Sequence, residues 1–341
     1  MNSRRWLAVG IAAGLLVVSL VTSSLTQKMN EAISTPDLSS IFSENEMQPV
    51  VIEDGDDSKK IAQLSVDGTI ISGGTSSLFS SEGYNHEEFM DQLEAIEEDD
   101  SVKGILLEVN SPGGGVYESA EIARELTKIQ SERKIPLYVS MKNTAASGGY
   151  YISANADKIY ATEETVTGSI GVIMSSLNYS GLLEKLGVED TTTKSGALKD
   201  IGSSTREPTT EDEEVLQAYV DSAYNRFVKV VSTGREQSEA EVKKLADGRI
   251  YDGVQAKEVG LVDEIGFPED ALDALRSEHD LQDAQLVVYE TPVSGFASTW
   301  LGAKITEFQE MKASESSKIV SALSSMGMTN SPRAMYFYGG E

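Results

Sequence analysis

Ser147 is the residue in this sequence most open to nucleophilic work. It stands in N-T-A-A-S-G-G-Y-Y-I-S (143–153), between two alanines and two glycines, just after the strand-like run 136–141. Small neighbours leave its hydroxyl and backbone approachable. A serine that opens a helix is ordinarily only an N-cap. A second stretch shifts that reading. N-S-P-G-G-G-V-Y-E-S (110–119) also runs from a strand into a helix. Its glycines let backbone N–H groups point at a ligand atom, and the helix start adds partial positive charge. That describes an oxyanion hole, or equally a tight turn that needs positive φ. A phosphate loop has less support, because G-x-x-x-x-G-K-[ST] and G-x-G-x-x-G are both absent. Two glycine-rich turns on consecutive βα units can face one crevice at the carboxyl ends of their strands. Together they point to a serine nucleophile beside an oxyanion hole.

Such a serine needs a base. The chain has only 2 histidines and no cysteine. His86 in Y-N-H-E-E and His279 in S-E-H-D each sit beside carboxylates on what reads as solvated helix surface, which argues against a Ser-His-Asp triad. A desolvated lysine can replace histidine. Lysines in amphipathic helices read as solvated. Lys194 and Lys199, in T-K-S-G-A-L-K-D, lie in a segment that is not helical by pattern, and residue reasoning alone stops at that pair. Without cysteine there is no disulfide, thiol catalysis or thiolate metal site, and no cofactor is expected.

The elements that must carry these residues alternate. Strands are predicted at 61–66, 104–110, 136–141, 170–174 and 283–290, and helices at 85–98, 117–133, 147–156, 211–233 and 239–246. This is an α/β pattern. A formal net charge of −27 argues against nucleic acid and reads as a solvated surface. Residues 6–25 carry no charge, and about 20 such residues span a bilayer as a helix. Arg4 and Arg5 precede the run and an acidic stretch follows, so the expected orientation has residues 1–5 in the cytoplasm and the body outside it. No small-x-small cleavage site follows the run directly, which favours an anchor over a signal peptide. Residues 26–59 read as an acidic flexible tether, 60–295 as the catalytic body, and 296–341 as a helix and extended tail.

The stretches G-I-L-L-E-V-N-S-P-G-G-G, T-A-A-S-G-G-Y-Y-I-S, V-T-G-S-I-G-V, K-S-G-A-L-K-D and R-I-Y-D-G-V-Q-A-K-E-V-G-L-V-D-E-I-G resemble those of the signal peptide peptidase A family. The likeness covers about residues 60–290, in one copy of the domain. It implies a Clp-protease/crotonase-like fold of repeated ββα units with additional C-terminal helices, preceded by one transmembrane helix. It also implies a membrane serine endopeptidase with a Ser–Lys dyad, working as a homo-oligomeric ring. By that resemblance Ser147 is the nucleophile, Lys199 the general base and Ser169 the hydroxyl that orients the lysine. Gly114 and Gly148 form the oxyanion hole. Substrates would be hydrophobic peptides such as cleaved signal peptides. The other readings are a crotonase-like acyl-CoA enzyme and a silent, membrane-tethered peptide-binding scaffold.

The last residues, S-P-R-A-M-Y-F-Y-G-G-E (331–341), are extended in character. Pro332 stops a helix, and Tyr336, Phe337 and Tyr338 favour strand. Three adjacent aromatics in an acidic chain call for cover. Either they pack on the body as a simple anchor, or they enter the protein's own peptide groove as a ligand.

Overall fold

Residues 47–72, 83–291 and 333–339 are described by a computed structural model. The expected span 6–25 and most of the regions read as tether and C-terminal helix lie outside them. Among the described residues, no helix is long and apolar enough to cross a membrane.

β3 (Val102–Ser111) shows why a sheet forms. It is buried almost without break, as a strand covered on both faces must be. Ile105, Leu107 and Val109 face one core with α1 (His86–Glu98) and α2 (Val116–Arg133), while Leu106 faces a second core with α8 (Pro268–Glu278). The alternation follows the two-residue period of a strand.

Around it the sheet runs β1 (Gln48–Glu53), β10 (Ala284–Glu290), β2 (Asp56–Asp67), β3, β5 (Leu137–Ala146), β6 (Lys158–Ala161) and β9 (Glu264–Ile265). All neighbours from β10 to β9 are parallel, and β1 adds antiparallel at the edge. β7 (Val166–Gly168) pairs parallel with β5 and antiparallel with β8 (Ile250–Tyr251).

Two sequence-based boundaries shift. Residues 48–59, placed in the tether, form β1 and the start of β2. The apolar run of β1, Val50–Ile52, is short and stands beside the acid-rich stretch 53–57, so composition hid the strand. The strand expected at 170–174 is reduced to a single bridge at Ile173. The helices expected at 211–233 and 239–246 are α5 (Thr210–Gly234) and α6 (Glu239–Leu245). α5 opens on a capping box between Thr209 and Asp212.

Between β7 and α5 lies an arm, residues 171–209, that is mostly exposed. It contains the short helix α4 (Ser180–Lys185). Charge ties its far end to α5. Arg206 donates to both carboxyl oxygens of Asp212, and to Asp200 at 2.9 Å, while Lys194 Nζ reaches Asp200 at 2.7 Å. Arg206 holds the Asp212 carboxyl well below the carboxylate range, and Arg206 followed by Lys194 brings Asp200 to about 2. Both folded values lie below the unfolded value of about 3.9. Their contribution is therefore present above that value and lost as pH falls through the folded values. Hydrogen-exchange protection, measured against the intrinsic rate, should fall in segment 190–212 between pH 4 and pH 2 ahead of the β-sheet core. Protection that persists there as it does in the core would remove the network from the arm's stability.

Candidate active site

β5 ends at Ala146 and α3 (Gly148–Ser153) begins two residues later. Ser147 makes the turn alone, at φ 53° and ψ −113°. Such a backbone costs a non-glycine residue about 1–3 kcal/mol and persists only where the surroundings impose it. It stands at the N-cap position, but its side chain makes no capping bond. The sharp strand-to-helix turn is the way several hydrolase folds present a serine. Ser147 is nonetheless buried, at 1% exposure.

A second turn holds the first. Ser147 N–H donates to Gly168 O at 2.8 Å, and Ser169 follows at φ 48°. Ser169 N–H in turn donates to Arg249 O at 2.8 Å. The Tyr251 ring lies where a Cβ on Gly168 would be, 2.6 Å away. The R-I-Y-D-G segment thus clamps the turn that carries Ser169. No local pattern in the sequence assigns that segment a task, because its contacts reach across about 80 residues.

The three glycines form β4 (Gly113–Gly115), outside the main sheet. Gly113 N–H donates to Ser111 Oγ at 3.0 Å. On one side Ile70 makes a parallel bridge to Gly114, donating to Gly113 O at 2.9 Å and accepting from Gly115 N–H at 2.7 Å. On the other side lies β11 (Met335–Phe337), antiparallel, with Tyr336 opposite Gly114. Side chains at 113 and 114 are impossible here. A Cβ on Gly114 would lie 2.0 Å from Ile70 O, and one on Gly113 2.1 Å from Tyr336 O and 2.5 Å from Gly148 N. Gly113 also needs its φ of 98°.

The last observation locates the tail. The carbonyl oxygen of Tyr336 and the amide following Ser147 both crowd one point beside Gly113. The strand is gripped on its other edge too, since Met335 and Ile173 exchange N–H···O bonds of 2.9 and 3.0 Å. Tyr338 N–H donates to Pro112 O at 2.8 Å. The Tyr336 side chain is fully buried. It stacks on Tyr151 at 4.9 Å, packs on Phe227 at 4.7 Å, and donates its hydroxyl to Ala223 O at 3.0 Å. Ala223 and Phe227 are one turn apart on α5. No local pattern marks them as pocket walls, because they share a helix face with ordinary core residues.

The lysines are elsewhere. Lys199 is exposed on the arm, and among the described residues no hydrogen bond links it to Ser147. Lys194 is held by Asp200. His86, expected on a solvated surface, is buried, its ring between Tyr84 OH at 2.6 Å and Glu121 at 3.0 Å. His279 is exposed and sets its ring edge against Tyr138. Neither histidine is bonded to Ser147. Among the described residues no cluster of three or more His, Asp or Glu could hold a metal.

Across its whole length the chain is 55% identical to the full length of a protein named as a signal peptide peptidase, SppA, from Enterococcus faecium. The model of peptidase family S49 matches residues 129–282, the stretch that contains Ser147, Ser169 and Lys199. The chain belongs to the S49 signal peptide peptidase family. A Clp protease family model also matches, over residues 76–167, in accord with a Clp-protease-like α/β fold. Protease 4 of Haemophilus influenzae is 35% identical over 71% of this chain and 37% of its own. A protease of Methanocaldococcus jannaschii is 44% identical over 59% of this chain and 64% of its own. An S49 membership makes the protein a serine protease and sets aside the acyl-CoA and silent-scaffold readings.

Proposed function

We propose that this S49 protease is a membrane-anchored endopeptidase in which Ser147 attacks, Lys199 is the base, and the C-terminal strand occupies the groove until a substrate replaces it. The observation that supports this most directly is the pairing of β11 with Gly113–Gly115, which brings the Tyr336 carbonyl beside the amide after Ser147. An extended peptide would add as a strand in the same way. Ser147 Oγ would bond to the carbonyl carbon of the residue in the Tyr336 position. The electron pair of the C=O bond would move to oxygen, facing the amides of Gly114 and Gly148. Neutral Lys199, oriented by Ser169, would take the serine proton and pass it to the leaving amine. Water would then release the acyl group. Tyr151, Ala223 and Phe227 favour an aromatic or large apolar side chain at that position. Hydrophobic peptides such as spent signal peptides fit both this groove and a body held outside the cytoplasm by residues 6–25.

Lys199 has to come to Ser147 from somewhere. It sits on an exposed arm together with Leu182, Leu186 and Val188, each more than half exposed. Apolar residues in that number suit a protein contact. We assign that contact to a second copy of the chain, whose arm completes the site within a ring. Mixing inactive Ser147→Ala and inactive Lys199→Ala proteins under subunit exchange should then restore activity. A mixture that exchanges subunits and stays silent would place both residues of the dyad in one chain.

A further inference from the structure

Ser119 lies in the first turn of α2 and is fully buried, and its Oγ has no hydrogen-bond partner. An unpaired buried hydroxyl is destabilising compared with an apolar group of the same shape. Three neighbouring buried hydroxyls are paired. Ser111 Oγ accepts from Gly113 N–H, Ser153 Oγ donates to Gly149 O, and Thr167 Oγ1 donates to Ala145 O. Ser140 Oγ is also unpaired, but in the middle of β5. Ser119 is placed differently. A Cβ on Gly148 would meet Ser119 Oγ at 2.6 Å, Gly113 Cα at 3.0 Å and Gly114 N at 3.0 Å. The hydroxyl is the surface on which Gly148 rests, next to the Gly114 amide. Alanine would fill that place without an unpaired polar group, so the resting structure gives no reason for serine.

A reason exists in the reacting state. A hydroxyl without a fixed partner is free to rotate. When Ser147 bonds to the substrate carbonyl carbon, negative charge appears on the oxygen in front of Gly114 and Gly148. The Ser119 O–H dipole, packed against Gly148 and near the Gly114 amide, can turn its hydrogen toward that charge. It does so where water is excluded and dipoles act strongly. We propose that Ser119 is a positioning residue of the oxyanion hole, which sets the seat of Gly148 against Gly114 and adds a rotatable dipole beside them. The proposal rests on the serine-protease site described above.

Ser119→Ala in the full-length protein tests it. The variant should lose about tenfold in kcat, less than a directly bonded oxyanion donor would cost, with KM within about twofold. Affinity for a peptide boronic acid, which forms a tetrahedral adduct on serine, should fall by the same factor. Affinity for a synthetic tail peptide, a ground-state ligand, should not change, and Tm should be equal or higher. Unchanged kcat and boronate affinity would overturn the proposal. So would a lower Tm or failure to fold, since the hydroxyl would then be a structural partner. Ser147→Ala serves as the control. If that variant keeps its activity, the reading of the site itself fails, whatever Ser119 does.

Discussion

Ser147→Ala should abolish peptide hydrolysis, with a loss of at least about 10³-fold in kcat/KM, while the fold survives. The hydroxyl makes no capping bond and is not needed to shape the turn. Ser147→Gly should be equally inactive yet more stable, because glycine accepts φ 53° without strain. The gain expected from relieving such a backbone is about 1 kcal/mol, readable as a rise in denaturation midpoint. Lys199→Ala should match Ser147→Ala in activity. Lys199→Arg should fail as well, because guanidinium stays protonated and cannot accept the serine proton. Hydrolysis of a fluorogenic peptide by the four variants decides this. Near-normal turnover by Lys199→Ala would sink the dyad and shift the base to Lys194, which would first have to leave Asp200.

Removal of residues 331–341 should raise activity on added peptide by about tenfold or more. The tail holds itself in place by β-pairing on two edges and by one fully buried aromatic side chain. Truncating a buried Phe-sized side chain to alanine costs roughly 3–5 kcal/mol, and each 1.4 kcal/mol is tenfold in occupancy. Tyr336→Ala should therefore release the groove nearly as well as deletion. Tyr336→Phe should release it less, because it loses only the hydrogen bond to Ala223 O. A synthetic 331–341 peptide should inhibit the truncated protein competitively. If Ser147 attacks at the Tyr336 position as proposed, intact-mass measurement should find wild-type protein trimmed after Tyr336 and Ser147→Ala protein full length. A truncated form no more active than the parent, with no competition by the peptide, would reduce the tail to packing.

The sequence by itself determined the kind of chemistry and the elements that carry it. Ser147 and the three glycines were legible because a strand-to-helix turn that exposes backbone needs small residues, and that need is written in consecutive positions. The helices at 85–98, 117–133 and 211–233 and the strand at 104–110 were legible for a similar reason: each repeats apolar residues at the period of its own backbone. The aromatic tail could be marked as in need of cover, but not placed. What only the tertiary structure decided are relations between distant positions. Ile70 backs Gly114, Arg249 and Tyr251 hold the Ser169 turn, and Ala223 and Phe227 join Tyr151 around Tyr336. No periodicity encodes such contacts, because they are made by backbone groups or by side chains that look like ordinary core. The edge strand at 48–53 escaped for the opposite reason. Its apolar run, Val50, Val51 and Ile52, is short, exposed to solvent and set beside the acids of 53–57 that a flexible tether would carry, and only its partner β10 makes it a strand.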